Sequence, residues 1–288
     1  MAAKFKSIFY KIVHYLTNNT LFAYTIRETI TMKKTIRTLQ LGFLATIALA
    51  SCKARFYTPN HNPTHLFREK GDLIVNGGTN LGTRLEGSMG YALTNNVAMY
   101  GGYCGSWLNR TGDSVNNEKL KYKGNLLNVG LGYFLNKSAS EEFRFEIFGD
   151  LAVGTYRNSR TGNNVSPAYF NGHFTRIGIM PNFGYTSPEN DFHFGYSIRL
   201  SSIKFTNASI KDSSFWRDDI IRLNARPSYG MLEHAFTVRI GDENIKFETQ
   251  LAFYHGLNSS EVTNAIRYFN MNIMAGLYFN INLLQRRQ

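Results

Sequence analysis

The chain has 288 residues, 32 Lys and Arg against 20 Asp and Glu, and a formal net charge of +12. A hydrophobic fraction of 43% excludes overall disorder, and two cysteines exclude a disulfide scaffold or a Cys-rich zinc site. Tyr 17, Phe 22, Gly 25 and a charged fraction of only 18% favour strands over helices.

Residues 1–51 hold Lys4, Lys6, Lys11, Arg27, Lys33, Lys34 and Arg37 against Glu28 alone. Half of the net charge therefore lies in a leader, and the total is no argument for a nucleic-acid partner. From Met32 the order is Lys33-Lys34-Thr35-Ile36-Arg37, then apolar Leu41 to Ala50, then Ser51-Cys52. That is the charged, apolar, small-residue order of a secretory signal peptide, and its apolar stretch is too short for a membrane-spanning helix. Leu49-Ala50-Ser51-Cys52 resembles the lipobox of bacterial lipoproteins. The resemblance implies cleavage before Cys52 and lipid attachment there. The expected organisation is an upstream extension at 1–31, or a true start at Met32 with 1–31 outside the protein, then a signal peptide at 32–51, a lipidated tether at 52–71 and a β-barrel at 72–288. Pro59 and Pro63 and the lack of periodicity mark the tether.

Beyond residue 71 the signal is period-two alternation. Phe143, Phe145, Ile147, Leu151 and Val153 oppose Arg144, Glu146, Phe148, Asp150 and Gly154. Ile245, Phe247, Thr249, Leu251 and Phe253 oppose Lys246, Glu248, Gln250, Ala252 and Tyr254. Phe269 through Leu283 repeats the pattern. It predicts about ten strands, near 72–79, 82–93, 96–108, 121–135, 142–156, 170–186, 191–206, 229–240, 245–257 and 266–284. Pro181 and a phase change near Ser201-Ser202 predict bulges. Short turns near 95–96, 136–141, 187–190 and 241–244 alternate with longer connections near 109–120, 157–169, 207–228 and 258–265. An even strand number with short turns at one end is the pattern of outer-membrane barrels. The expected fold is all-β, a closed antiparallel up-and-down transmembrane β-barrel. Both barrel ends then fall on the short-turn, periplasmic side, which places a lipid on Cys52 in the inner leaflet of an outer membrane.

Parity assigns the faces. One face carries Arg84, Glu86, Arg144, Glu146, Asp150, Arg176, Arg199, Glu233, Arg239, Lys246 and Glu248. The near balance of sign suits a closed lumen in which charges pair, although a solvated outer face of a soluble sandwich has mixed charge too. The other face carries an aromatic girdle toward the short turns: Tyr91, Tyr133, Phe143, Phe145, Phe183, Tyr185, Phe192, Phe194, Phe247 and Phe279. Gly276-Leu277-Tyr278-Phe279-Asn280-Ile281 resembles the C-terminal recognition signal of such barrels, but the chain continues to Gln288 without a terminal aromatic. Over 72–284 the chain resembles small Gram-negative outer-membrane β-barrel proteins with a lipoprotein-type signal.

None of His14, His61, His65, His173, His193, His234 and His255 has metal-ligand spacing, so neither metal nor cofactor is expected. His173 and His193 read as single strand-end histidines, the alternative being a place on the lumen or rim. His173 with Ser166, or Asp212 and Asp218 with Ser213, are the only catalytic groupings that suggest themselves, and no spacing supports them. Cys104 is expected as a packed thiol facing the lumen. The loop 207–228, with Phe215, Trp216 and Arg217, is the candidate for a surface partner or a lumen cap. The expected function is a non-enzymatic outer-membrane barrel lipoprotein with a structural, surface-interaction or small-solute role and membrane lipid as partner. The alternatives are a periplasmic lipid-tethered soluble barrel holding an apolar ligand, and a barrel hydrolase acting on lipid or peptide.

Overall fold

The computed structural model describes residues 57, 59–80, 83–111, 117–135, 142–163, 167–187, 191–211, 217–225, 228–257 and 271–282. The leader, Cys52, Ser166, Asp212, Ser213, Phe215 and Trp216 lie outside these. The elements are β1 (Asp72–Asn80), β2 (Arg84–Ala92), β3 (Val97–Thr111), β4 (Lys119–Phe134), β5 (Phe143–Thr161), β6 (Ala168–Thr186), β7 (Phe192–Lys211), α1 (Arg217–Ala225), β8 (Tyr229–Gly241), β9 (Ile245–Gly256) and β10 (Met271–Asn282). Each strand pairs antiparallel with its chain neighbours. The ring closes where β1 meets β10, from Asp72↔Asn282 to Thr79↔Ala275. Closure leaves no edge strand among the ten described strands.

Strand parity sorts the side chains as the sequence pattern demands. Along β5, every second residue from Arg144 to Asn158 is buried. The alternate positions Phe143, Ile147, Leu151 and Val153 are exposed although apolar, and Phe143 is 69% exposed. The same wall carries Leu127, Val129 and Leu131 on β4, Ile177 and Ile179 on β6, and Leu200 on β7. From Phe143 to Val153 this belt spans ~33 Å along the strand, or ~25 Å of height at a tilt of about 40°. Above it the outward residues become polar: Thr155 and Arg157 on β5, Thr175, His173 and Asn171 on β6.

Two features of the strands differ from the sequence expectation. The upper ends of the strands are longer: β5 reaches Thr161 and β6 begins at Ala168, inside the predicted loop 157–169. These residues read as loop because their outer face is polar, yet they continue the ladder up to Arg160↔Ala168. The bulge also lies elsewhere. The register holds across Pro181, with Ile179↔Leu200 and Asn182↔Ser197. The β7–β8 ladder runs unbroken past Ser201 and Ser202. The shift falls between Asn171 and His173, where β7 holds one extra residue and Asn207 has φ 54°. A single left-handed residue of this kind absorbs the insertion, and Asn tolerates it better than most.

Asn207→Val should lower the unfolding free energy by about 1–2 kcal/mol, because a β-branched residue cannot relax into this backbone. Asn207→Gly should stay within about 0.5 kcal/mol of the parent. Urea unfolding in detergent micelles reads both, and equal losses would contradict the bulge assignment.

Candidate functional site in the barrel lumen

Of the segment 57–71, expected as a plain tether, Tyr57 and residues 59–67 lie inside the barrel. Tyr57, Asn60, His61, Asn62, Thr64, His65, Leu66 and Phe67 are all buried. Their partners come from strands all round the ring. The Tyr57 hydroxyl donates to Glu233 Oε1 on β8 at 2.7 Å. The His61 amide donates to Glu86 on β2. Asn62 and Gln250 of β9 exchange two bonds, backbone N to Oε1 at 3.1 Å and Nε2 to backbone O at 2.9 Å. Asn182 of β6 donates to Pro63 O at 3.0 Å, Tyr278 of β10 to His65 O at 3.1 Å, and the Phe67 amide to Glu146 of β5 at 2.7 Å. An extended segment has no ladder of its own, so its backbone groups must find side chains. The inward-facing polar residues of the strands supply them.

The charges predicted for the lumen form the middle of this site. Arg84, Glu86, Arg144, Glu146, Asp150, Arg176, Arg199, Glu233, Arg239, Lys246 and Glu248 are all buried, and Asp72, which parity reading missed, joins them. Among the described residues the buried set is thus six bases and six acids. Arg176 binds Asp150 Oδ1 through Nη2 at 2.6 Å and Nε at 3.0 Å. Its Nη1 donates to the Tyr57 hydroxyl at 2.7 Å and to Asn60 Oδ1 at 2.8 Å. Arg199 binds Glu233 at 2.7 Å and shares Asn60 Oδ1 at 3.1 Å. Arg239 binds Glu248 at 2.6 Å, lies 4.0 Å from the Tyr278 ring centroid, and donates to Thr64. His61 Nε2 lies 3.2 Å from the second Glu248 oxygen. Arg84 pairs with Glu86 at 2.8 Å. Buried ions need both a counter-charge and hydrogen bonds on their remaining lone pairs and protons. Here several of those bonds come from residues 57–64.

Two apolar layers bracket the charges. Toward the long loops, Tyr57 joins Tyr156, Phe170, Phe174, Phe205 and Tyr229. Leu223 of α1 packs into the same layer, so part of loop 207–228 caps the lumen. Toward the short turns, Phe67 joins Tyr100, Phe134, Phe148, Met180 and Tyr278. Glycines make room for the segment there. A Cβ on Gly184 would lie 2.1 Å from Leu66 Cδ2, and one on Gly90 would lie 2.7 Å from both His65 and Phe67.

The aromatic girdle residues Tyr91, Tyr133, Phe143, Phe145, Phe183, Tyr185, Phe192, Phe194, Phe247 and Phe279 are at least partly exposed on the outward face. Phe143–Tyr185 and Phe145–Phe183 are cross-strand pairs with ring centroids 5.4 and 5.2 Å apart. Cys104 is buried, and Arg84 Nε donates to its sulfur at 3.1 Å. His193 is buried in the lumen, while His173 is exposed on the outer wall and Asp218 is exposed on α1. Adjacent strands bring His234 and His255 together outside, with their Nε2 atoms 3.2 Å apart. Spacing within one strand gave no hint of that pair; only the β8–β9 register does. Among the described residues, no group of three or more His, Cys, Asp or Glu is arranged to hold a metal.

No family model matches the chain, and no curated protein matches it. Among solved structures, the outer membrane protease OmpT from Escherichia coli aligns at 11% identity and a TM-score of 0.47, over 74% of this chain and 94% of that one. The translocator domain of the autotransporter NalP from Neisseria meningitidis aligns at 12% identity and a TM-score of 0.43, over 74% and 89%. The N-terminal β-barrel domain of Pseudomonas aeruginosa OprF aligns at 12% identity and a TM-score of 0.31, over 74% and 100%. The barrel assignment above rests on this chain's own strand register.

Arg239→Met should destabilise the barrel by about 3–5 kcal/mol, since it strands the buried Glu248 carboxylate. Adding Glu248→Leu should restore a large part of that loss. A double-mutant cycle from urea midpoints tests this, and strictly additive losses would rule out a coupled pair.

Proposed function

We propose that the chain is an outer-membrane β-barrel lipoprotein, anchored at Cys52, whose lumen is closed by its own segment 57–71. Its role is then structural or one of surface interaction, and solute passage is not part of it. The observation that carries this reading is the inversion of polarity. The outer wall is an apolar belt, with Leu131 and Ile177 61 and 62% exposed, while six bases and six acids are buried inside. A soluble domain rarely exposes so continuous an apolar surface, and the belt height of ~25 Å matches the apolar band of membrane barrels. Girdle aromatics at the short-turn edge of the belt suit a lipid interface.

The soluble alternative needs the reverse arrangement, an apolar pocket inside and a charged surface outside. The small-solute role needs an open lumen, and residues 57–67 occupy it. For the barrel-hydrolase alternative, His173 is exposed on the outer wall and Asp218 on α1, while Ser166, Asp212 and Ser213 lie outside the described residues, so no catalytic geometry supports it. Membrane lipid remains the expected partner through the belt. The exposed side of α1, with Arg217, Asp218 and Ile221, is the part of loop 207–228 free for a surface contact.

Cys52→Ala should remain in the membrane pellet after alkaline carbonate extraction, because the belt alone holds the barrel in lipid. Release of this variant into the soluble fraction would exclude the reading. In planar bilayers the parent should give no ion conductance. Exchange of residues 59–67 for a Gly-Ser segment of equal length should open a conducting pathway, with the folded state checked by heat-dependent gel mobility. A conducting parent, or a folded but silent variant, would count against closure by this segment.

A further inference from the structure

We infer that the chain enters its barrel from the long-loop mouth, so that the residues before Tyr57, with the lipid proposed on Cys52, belong to the exterior face of the membrane. This rests on the outer-membrane reading above, in which short turns are periplasmic and long loops external.

The direction of the segment is fixed by three strands independently. On β6 the Tyr57 ring packs on Phe174 at 5.2 Å and its hydroxyl meets Arg176. Farther along β6, Pro63 O meets Asn182 and Leu66 fills the space over Gly184. Each contact is a step toward Thr186, the short-turn end of that strand. On β8 the contacts descend from Glu233, which meets Tyr57, to Arg239, which meets Thr64. On β2 they descend from Glu86, which meets His61, to Gly90, which meets His65 and Phe67. The segment then turns at the short-turn mouth. Arg68 pairs with Glu243 at 3.6 Å, the Lys70 amide meets Asn95 Oδ1 at 3.2 Å, and the Gly71 amide meets Ala92 O at 3.0 Å. From there β1 climbs back. Segment and strand therefore cross the barrel in opposite senses.

Chain length settles which mouth the upstream residues can use. Cys52 is five residues before Tyr57, a reach of at most ~17 Å. The short-turn mouth lies twelve β6 residues below Phe174, ~40 Å along the strand and ~30 Å in height. The path back is also filled by residues 59–67. The long-loop mouth is near: Glu233 is four residues from Tyr229, the start of β8, about 10 Å in height. Phe174 faces Gly154, one residue above Val153 at the top of the apolar belt. Tyr57 thus sits at the level of the outer interface, about 10 Å below the β8 rim, and the residues between Cys52 and Tyr57 are long enough to reach that rim. Knowing only that β1 begins at the short turns leads to the inner leaflet, so the course of segment 57–71 reverses that expectation.

Three single-epitope versions of the full chain test this. One carries the epitope between Lys53 and Ala54, one between Ser213 and Ser214 in the long loop, and one in the turn 242–244. On intact cells, antibody should bind the first two at the level seen after permeabilisation, and the third only after permeabilisation. An epitope at 53–54 that stays hidden on intact cells, while that at 213–214 is bound, overturns the inference and leaves the membrane reading standing. A hidden 213–214 epitope with a bound turn epitope brings down the orientation itself, and the inference with it. As a smaller perturbation, Ala54→Cys should react with a membrane-impermeant maleimide on intact cells, whereas the parent, whose Cys104 is buried and whose Cys52 sulfur carries the proposed lipid, should not. Loss of that labelling in a variant with normal heat-dependent mobility also overturns the inference. Cys52→Ala should leave the labelling unchanged, because the buried segment sets the direction.

Discussion

Everything in this barrel depends on how Arg176, Arg199, Asp150 and Glu233 are satisfied in its centre. Two guanidinium groups stand beside two carboxylates with no exposed side-chain surface. Desolvation of four such ions costs more than their mutual attraction returns unless the remaining donors and acceptors are also bonded. Tyr100 and Asn128 complete Asp150 at 2.6 and 3.2 Å. Tyr57 and Asn60 add bonds to the two arginines, and Tyr57 adds one to Glu233. The last two are not strand residues. The lumen network is therefore built to include the segment, and a barrel emptied of it would hold arginines with missing partners.

The order of residues in the segment matches the layers it crosses. Tyr57 stands in the apolar layer near the long loops, Asn60 to Thr64 stand among the charges, and Phe67 stands in the apolar layer near the short turns, with Leu66 buried over Gly184. Gly90 and Gly184 are bare where Leu66, His65 and Phe67 press against the wall. A flexible tether passing a barrel would need none of this. Outside, the same strands present the belt, so each strand separates an ionic interior from an apolar exterior by the two-residue period alone.

Much of this was legible in the sequence. Alternation along 142–156 and 245–257 carries the strand positions and the facing of Arg144, Asp150, Lys246 and Glu248, because parity is a local property. The short turns at 95–96 and 241–244 were legible for the same reason. The buried segment was not, since Tyr57 to Gly71 has no period and so no face to read; its Pro59 and Pro63 suit an unpaired strand inside a lumen as well as a tether outside. Asp72 was missed at the junction of the two. The His234–His255 pair and the Asn207 bulge depend on how one strand registers on the next, and no single-strand pattern contains that. Pro181 suggested a bulge because it lacks an N–H, yet the surrounding ladder of β6 and β7 holds its register.

The most direct test of a lumen filled by the chain's own segment is amide exchange of the barrel in detergent micelles or nanodiscs. The amides of His61, Asn62 and Phe67 donate to buried Glu86, Gln250 and Glu146. They should exchange as slowly as the amides of the strands that surround them. Exchange of these three at the rate of an unfolded peptide, with the strands protected, would contradict the account.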